Sequence, residues 1–283
     1  MSSARLIFLT SLAMIAFGGN SLLCRVALKN SSIDAASFTT IRLISGAVIL
    51  WLITRGGHGA VVGRGNWPSA CALFAYAAGF SFAYTTLSAA TGALLLFGAV
   101  QITMIGHGIR KGERLSRGEF LGLVVALGGL VGLLLPGLSA PPLSGSLMML
   151  GSGVAWGIYS LRGRGTGDPA RVTAGNFLRA VPLAAAVSVM TAGDATPDTA
   201  GFCYALLSGG VASGAGYALW YRVLPGLKVT SAGTVQLAVP VIAAVGGIIF
   251  LGENVTLRLV MASVAILGGI ALLLLEHQRN PHE

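Results

Sequence analysis

Residues 252–269 read GENVTLRLVMASVAILGG, and residues 112–129 read GERLSRGEFLGLVVALGG. Each stretch opens on Gly-Glu and closes on a Gly-Gly pair that begins sixteen residues later, with apolar sequence between. The offset is 140 in a chain of 283 residues, so the match sits half a chain apart. Working outward, Phe17-Gly18 and Ser21-Leu22 correspond to Trp156-Gly157 and Ser160-Leu161 at an offset of 139, and Arg42 and Tyr84 correspond to Arg179 and Tyr221 at 137. Four correspondences in one order describe an internal repeat, with residues 1–138 as the first unit and residues 139–283 as the second.

Composition says what those units are made of. Apolar residues are 54% of the chain, charged residues only 10%, and mean hydropathy is +0.81. A soluble domain carries roughly 25% charged residues, so this chain cannot clothe a globule in water. The 41 glycines show no Gly-X-Y period; at such density among apolar runs they let membrane helices approach closely. Cys24, Cys71 and Cys203 all lie in apolar runs without a CxxC pair, and read as small core residues. The apolar run behind Arg5 continues to Ala27 and reads as an uncleaved first helix.

A span needs about 20 apolar residues. Ten are expected: 5–27, 34–53, 67–87, 89–109, 118–135, 143–161, 173–191, 199–223, 229–251 and 256–275. Asp34, Asn66 with Pro68, Ser116 with Glu119, Asp168-Pro169 and Pro197-Asp198 supply the helix starts. With both termini placed in the cytoplasm, 13 of the 18 Lys and Arg residues fall on the cytoplasmic side and three on the other. That bias sets the orientation, and it turns the net charge of +9 from a nucleic-acid signal into a topology signal. Five spans per unit is an odd number, so the second unit enters the bilayer upside down. The fold class expected is an all-α integral membrane protein of ten transmembrane helices, arranged as two inverted five-helix repeats within one membrane domain. Such repeats let two halves exchange conformations around a central site, which is a transporter architecture.

The paired five-helix halves, an Arg in the second helix of each, and Gly252-Glu253 with Pro240 upstream in Ala238-Val239-Pro240-Val241 resemble the drug/metabolite transporter superfamily in its EamA-type ten-helix branch. The first half has Val100 where the repeat would place the proline. Within the branch the chain looks most like the YddG-type exporters of aromatic and other neutral amino acids. The resemblance implies export of neutral amino acids across a bacterial inner membrane by alternating access, with no cofactor.

No acid falls inside a span: Glu113 and Glu253 lie at helix ends on opposite sides, as do the other seven acids in loops, ends or tails. Asn20 occupies the first-helix region where small multidrug relatives keep a carboxylate, so cationic substrates and carboxylate-based proton coupling are disfavoured. A neutral ligand would instead use aromatic faces and amides. The substrate-binding candidates are Phe17 and Asn20; Tyr76, Phe80 and Tyr84, four residues apart on one helix face; Phe97 and Gln101; Trp156 and Tyr159; Tyr217; and Gln236. The amides Asn20, Gln101 and Gln236 are costly in lipid and must face protein, water or substrate. Arg42 and Arg179, at equivalent repeat positions, read first as structural, holding helices in register, and second as attractors of a substrate carboxylate. Pro240, Glu113 and Glu253 complete the structural and gating set. His107 stands alone, and no base pairs with a nucleophile or metal-ligand set, so neither an enzyme nor a metal site is expected. The partners expected are a neutral amino acid and the bilayer, with no nucleic acid, and the unit expected is a monomer. A phosphorylated sugar or other anionic metabolite is the alternative cargo.

Overall fold

The computed structural model describes residues 3–55, 65–112, 115–137, 140–163, 168–191, 198–226 and 235–279. Among them the regular structure is helical: α1 (Ser3–Asn30), α2 (Ala35–Thr54), α3 (Trp67–Tyr84), α4 (Ala89–Arg110), α5 (Arg117–Leu134), α6 (Leu143–Arg162), α7 (Pro169–Met190), α8 (Thr199–Val223), α9 (Ala238–Leu251) and α10 (Leu257–Arg279). Each expected span corresponds to one helix over its described residues; residues 229–234 of the ninth span lie outside them. The expected starts are also the observed ones. Asp34 accepts the Ala36 and Ser37 N–H groups, Asn66 that of Ser69, Asp168 that of Arg171 and Asp198 that of Ala200, while Ser116 and Glu119 close a reciprocal capping box.

Seven helices are long and apolar enough to cross a bilayer by that measure alone; α3 and α6 fall outside it, and α9 is short at 14 residues. The physical reason is visible in α3 and α6, which spend positions on Ser69, Tyr76, Ser81, Ser152 and Tyr159, all buried among other helices. The outward surface is apolar instead: Phe8, Trp51, Phe120, Val131, Phe250 and Val264 are all exposed. An apolar exterior of that extent calls for a hydrocarbon solvent. Of the three cysteines expected in the core, only Cys24 is buried; Cys71 and Cys203 lie on exposed helix faces.

Helix pairing repeats under a shift of five. The pair α3 on α6 returns as α8 on α1, α4 on α6 as α9 on α1, and α3 on α7 as α8 on α2. The pairs α2 on α7, α4 on α9 and α5 on α10 map onto themselves. Chain direction alternates as well. Arg25 near the end of α1 reaches the carbonyls of Tyr84 and Thr85 at the end of α3, and Glu253 beyond α9. Gly145 at the start of α6 packs on Thr86 at the same face. Helices α1 and α6 therefore run in opposite senses. We call this end the Glu253 face and the opposite end the Arg162 face.

Glycine seams set the closest approaches. A Cβ on Gly122 would lie 2.5 Å from the Gly269 carbonyl, and one on Gly269 2.5 Å from that of Gly122, which lets α5 and α10 pack backbone to backbone. Gly153 meets the Leu96 carbonyl of α4 in the same way, while Gly157 makes room for the Thr103 side chain of α4 and Gly210 and Gly214 for that of Ile49 on α2. Gly128 and Gly132, four residues apart on α5 like a close-packing pair, face open space instead.

Candidate functional site

Where the pairs that join the two halves meet, α1, α3, α4, α6, α8 and Gln236 enclose ≈ 400 Å³ of atom-free space, its open mouth included. Eight of the eleven expected residues line it: Phe17, Asn20, Tyr76, Phe80, Phe97, Trp156, Tyr217 and Gln236. Ser21, Leu96 and Ala212 complete the wall. The aromatic side is continuous. Tyr76 lies 4.7 Å from Trp156 and 5.6 Å from Phe80, Trp156 lies 5.1 Å from Tyr217, and Tyr217 lies 5.7 Å from Phe17, centroid to centroid. Such tilted and edge-on pairs hold one another rigid.

The polar side is a chain of side chains from four helices. Ser208 donates to Asn20 Oδ1 at 2.6 Å, Asn20 Nδ2 approaches the Tyr76 hydroxyl at 3.5 Å, and Arg42 Nη2 donates to that hydroxyl at 3.0 Å. Arg42 Nε in turn donates to Ser213 Oγ at 3.3 Å. Both serines belong to the middle of α8, where Ser208–Ala215 is wound as a π-helix. Bulges of this kind re-aim side chains and recur at functional sites. The widened turn is possible because Gly209 lies against the Arg42 carbonyl and Ser45 Oγ, leaving no space for a Cβ. Sequence reading missed this device; its trace was Gly209-Gly210 between two serines in an otherwise apolar span.

Three candidates lie elsewhere. Tyr84 is fully buried under Gly92 and donates to the Ala89 carbonyl at 3.3 Å, filling the bundle toward the Glu253 face. Gln101 is buried one turn beyond Phe97 along α4. Tyr159 lines a second, narrow recess nearer the Arg162 face, with Ser69, Arg162, Thr173, Asn176 and Tyr221; its atom-free space is ≈ 240 Å³ with the open mouth included. Its hydroxyl donates to Thr173 at 3.3 Å and accepts from Asn176 at 3.4 Å. The stack of Trp156 on Tyr159, 5.4 Å between centroids, separates the two cavities.

The structural set divides likewise. Glu253 pairs with Arg25 at 3.2 Å and accepts the Ala89 N–H at 2.8 Å. Gly252 makes this possible, since it ends α9 at φ +60°, a left-handed turn open to glycine without strain. Pro240 sits in the first turn of α9, just past the helical residues 235–236 and the turn at Leu237; its ring removes the N–H that an unbroken helix would bond to the Gln236 carbonyl at the cavity wall. Arg42 and Arg179, equivalent in the repeat, differ in space: Arg42 is 1% exposed, whereas Arg179 is half-buried and donates to the Gly175 carbonyl at 2.9 Å. Glu113 lies outside the described residues. The described acids all stand at helix ends, outside the cavity wall.

Comparison with known proteins agrees with this architecture. Residues 143–275 match the EamA-like transporter family. The chain is 56% identical over 275 residues to the Uncharacterized protein PA1977 of Pseudomonas aeruginosa, covering 97% of this chain and 96% of that one. It is 31% identical over 168 residues to the threonine/homoserine exporter RhtA of Salmonella typhimurium, and 33% over 158 residues to that of Escherichia coli. Those two matches span 57% and 52% of the exporters' own lengths. A solved crystal structure superposes with a TM-score of 0.69 over 98% of this chain and 100% of its own, at 19% identity, a likeness of fold.

Proposed function

We propose that this multi-pass membrane protein, whose residues 143–275 match the EamA-like transporter family, exports neutral amino acids, aromatic ones among them, by alternating access. The moving parts are the two inverted five-helix halves, residues 1–138 and 139–283, and the helix pairing that repeats under a shift of five supports that division. The observation that carries the reading is the central cavity itself. Both halves line it, with aromatic faces on one side, Asn20 and Gln236 among the polar groups, and no carboxylate among the described residues of the wall. Aromatic faces suit an apolar side chain, amides and hydroxyls suit a zwitterion, and the missing acid disfavours cationic drugs. The similarity to threonine/homoserine exporters favours amino acids within the family.

The cargo enters from the Arg162 face, where the second cavity leads up to the Trp156–Tyr159 stack, and leaves past Arg25 and Glu253. The setting is a bacterial inner membrane with both termini in the cytoplasm, as the distribution of Lys and Arg supports. A monomer holds the whole cavity. A dianionic sugar phosphate would want two cations at the site, and Arg179 is committed to the Gly175 carbonyl. In proteoliposomes, labelled tryptophan, phenylalanine and threonine are expected to move faster than in empty vesicles. Absence of flux for every amino acid tried would end the proposal.

A further inference from the structure

Resting on the amino-acid reading above, we propose that Arg42 is the counter-charge for the carboxylate of the transported molecule, which docks at the Tyr76 corner of the central cavity. The sequence favoured a structural role for this residue, and four observations reverse that preference.

First, Arg42 is a cation with no anion. It lies seven residues into α2, about 10 Å below the helix start at 1.5 Å per residue, and is 1% exposed. No carboxylate oxygen among the described residues comes within ion-pair distance of it. Second, its bonding is incomplete. Nη2 and Nε reach only the hydroxyls of Tyr76 and Ser213, and Nη1 is buried with no hydrogen-bond partner. The arginines with evident structural duties are served differently: Arg25 holds Glu253 and two carbonyls, Arg171 holds Asp168, Arg179 the Gly175 carbonyl and Arg258 the Leu135 carbonyl. A buried polar group left unmatched calls for an explanation.

Third, the guanidinium is hemmed in. The backbone beneath it is fixed, since the Arg42 carbonyl accepts from Ser45 Oγ and is pressed by Gly209. Its flat face lies 4.7 Å from the Phe80 centroid and 5.2 Å from that of Tyr76, leaving the N–H edge as the place for an anion. Fourth, two of the residues it touches are cavity wall, with Arg42 directly behind them. Tyr76 and Phe80 line the central cavity, and the Tyr217 hydroxyl faces Tyr76 and Arg42 from α8. A carboxylate at this corner accepts a hydrogen bond from either tyrosine hydroxyl, with the buried charge of Arg42 directly behind that wall. An ammonium group then lies toward Asn20 and Gln236, with the aromatic wall around the side chain.

The same buried charge repels a ligand that carries only a cation, so the carboxylate becomes a requirement. The test is a ligand series on the purified full chain, read as affinity by calorimetry and as inhibition of labelled phenylalanine flux. Phenylalanine, phenylalaninol, phenylalaninamide and 3-phenylpropionate separate the two charges. Converting the carboxylate to alcohol or amide removes a charge-assisted bond of about 1.5–3 kcal/mol, so affinity is expected to fall about tenfold or more, while loss of the ammonium costs less. Arg42→Gln is expected to lose that discrimination, weakening phenylalanine and relieving the repulsion of phenylalaninamide so that it binds as well or more tightly, with Arg42→Lys retaining part of the discrimination. A merely structural arginine would weaken both ligands alike.

If Arg42→Gln does not fold, the wild-type series decides alone. Phenylalaninol bound within twofold of phenylalanine overturns the site, as does a panel in which no carboxylate binds. Binding of 3-phenylpropionate without any amino acid keeps the Arg42 site and removes the amino-acid reading. Amino acids that bind with no regard to their carboxylate keep that reading and remove the site.

Discussion

Arg25 and Glu253, 228 residues apart in sequence, form an ion pair of 3.2 Å that ties the end of α1 to the turn beyond α9. Around it Arg25 Nη1 donates to the Tyr84 and Thr85 carbonyls, and Lys29 donates to the Leu251 carbonyl. Glu253 also caps the first turn of α4 through the Ala89 N–H. One carboxylate thus gathers three helices over the Glu253 end of the central cavity, and the side chains of the pair are 14% and 9% exposed.

Glu253→Gln keeps an acceptor for Ala89 and cancels the charge opposite Arg25. The expected result is a loss of about 1–3 kcal/mol, seen as a lower melting temperature in detergent, together with a larger population open at this face. A cysteine introduced at Thr85 should then react faster with an aqueous maleimide. Unchanged melting and unchanged labelling would remove the gating role.

Gly209→Ala should be among the most harmful small substitutions in the chain, because a Cβ there meets the Arg42 carbonyl and Ser45 Oγ, neither of which can yield. Overpacking of this kind costs about 1–3 kcal/mol or more, and α8 must also leave α2. Gly151→Ala is the control, since a Cβ there meets nothing within 4 Å; it should be neutral or stabilising by about 0.5–1 kcal/mol. Thermal melts of the two variants side by side check both halves.

Trp156 separates the two cavities and contacts Tyr76, Tyr159 and Tyr217. Trp156→Ala is expected to merge the cavities, to destabilise by about 3 kcal/mol, and to let aromatic substrates leak through faster than in the unaltered protein. Trp156→Phe should retain the unaltered rate. Proteoliposomes preloaded with labelled amino acid and then diluted into empty buffer measure the difference.

Asp198 lies outside the spans, where the Ser31 hydroxyl, with the Ser32 and Ala200 N–H groups, holds its carboxyl below the ordinary 3.8. Folding therefore favours the ionised form. The stabilisation is complete above the ordinary carboxylate range and is lost as pH falls through the lowered value. The melting temperature is expected to stay level from about pH 6 to 8 with respect to this group and to drop below about pH 4. Asp198→Asn, which caps without titrating, should flatten that acid limb.

Fusing a fluorescent protein or a periplasmic phosphatase to the C-terminus tests the orientation. A cytoplasmic terminus gives fluorescence and no phosphatase activity; the reverse pattern would invert the reading of which face loads cargo.

Much of this was legible along the chain, because lipid leaves few choices. With no water to satisfy the backbone, long apolar runs must be helices, and Asp34, Asn66, Ser116, Asp168 and Asp198 mark their starts by local chemistry that needs no distant partner. The amides Asn20 and Gln236 could be placed at a cavity because hydrocarbon penalises them elsewhere. The tertiary structure decided everything that depends on rotation about a helix axis. Tyr76, Phe80 and Tyr84 share a stripe, yet only the first two meet the cavity, since α4 closes over the third at Gly92. Equivalence in the repeat made Arg42 and Arg179 look alike; the π-helical turn of α8 wraps one in hydroxyls and leaves the other at its own helix carbonyl. Sequence periodicity states which residues share a face, but only packing against neighbouring helices states what that face meets.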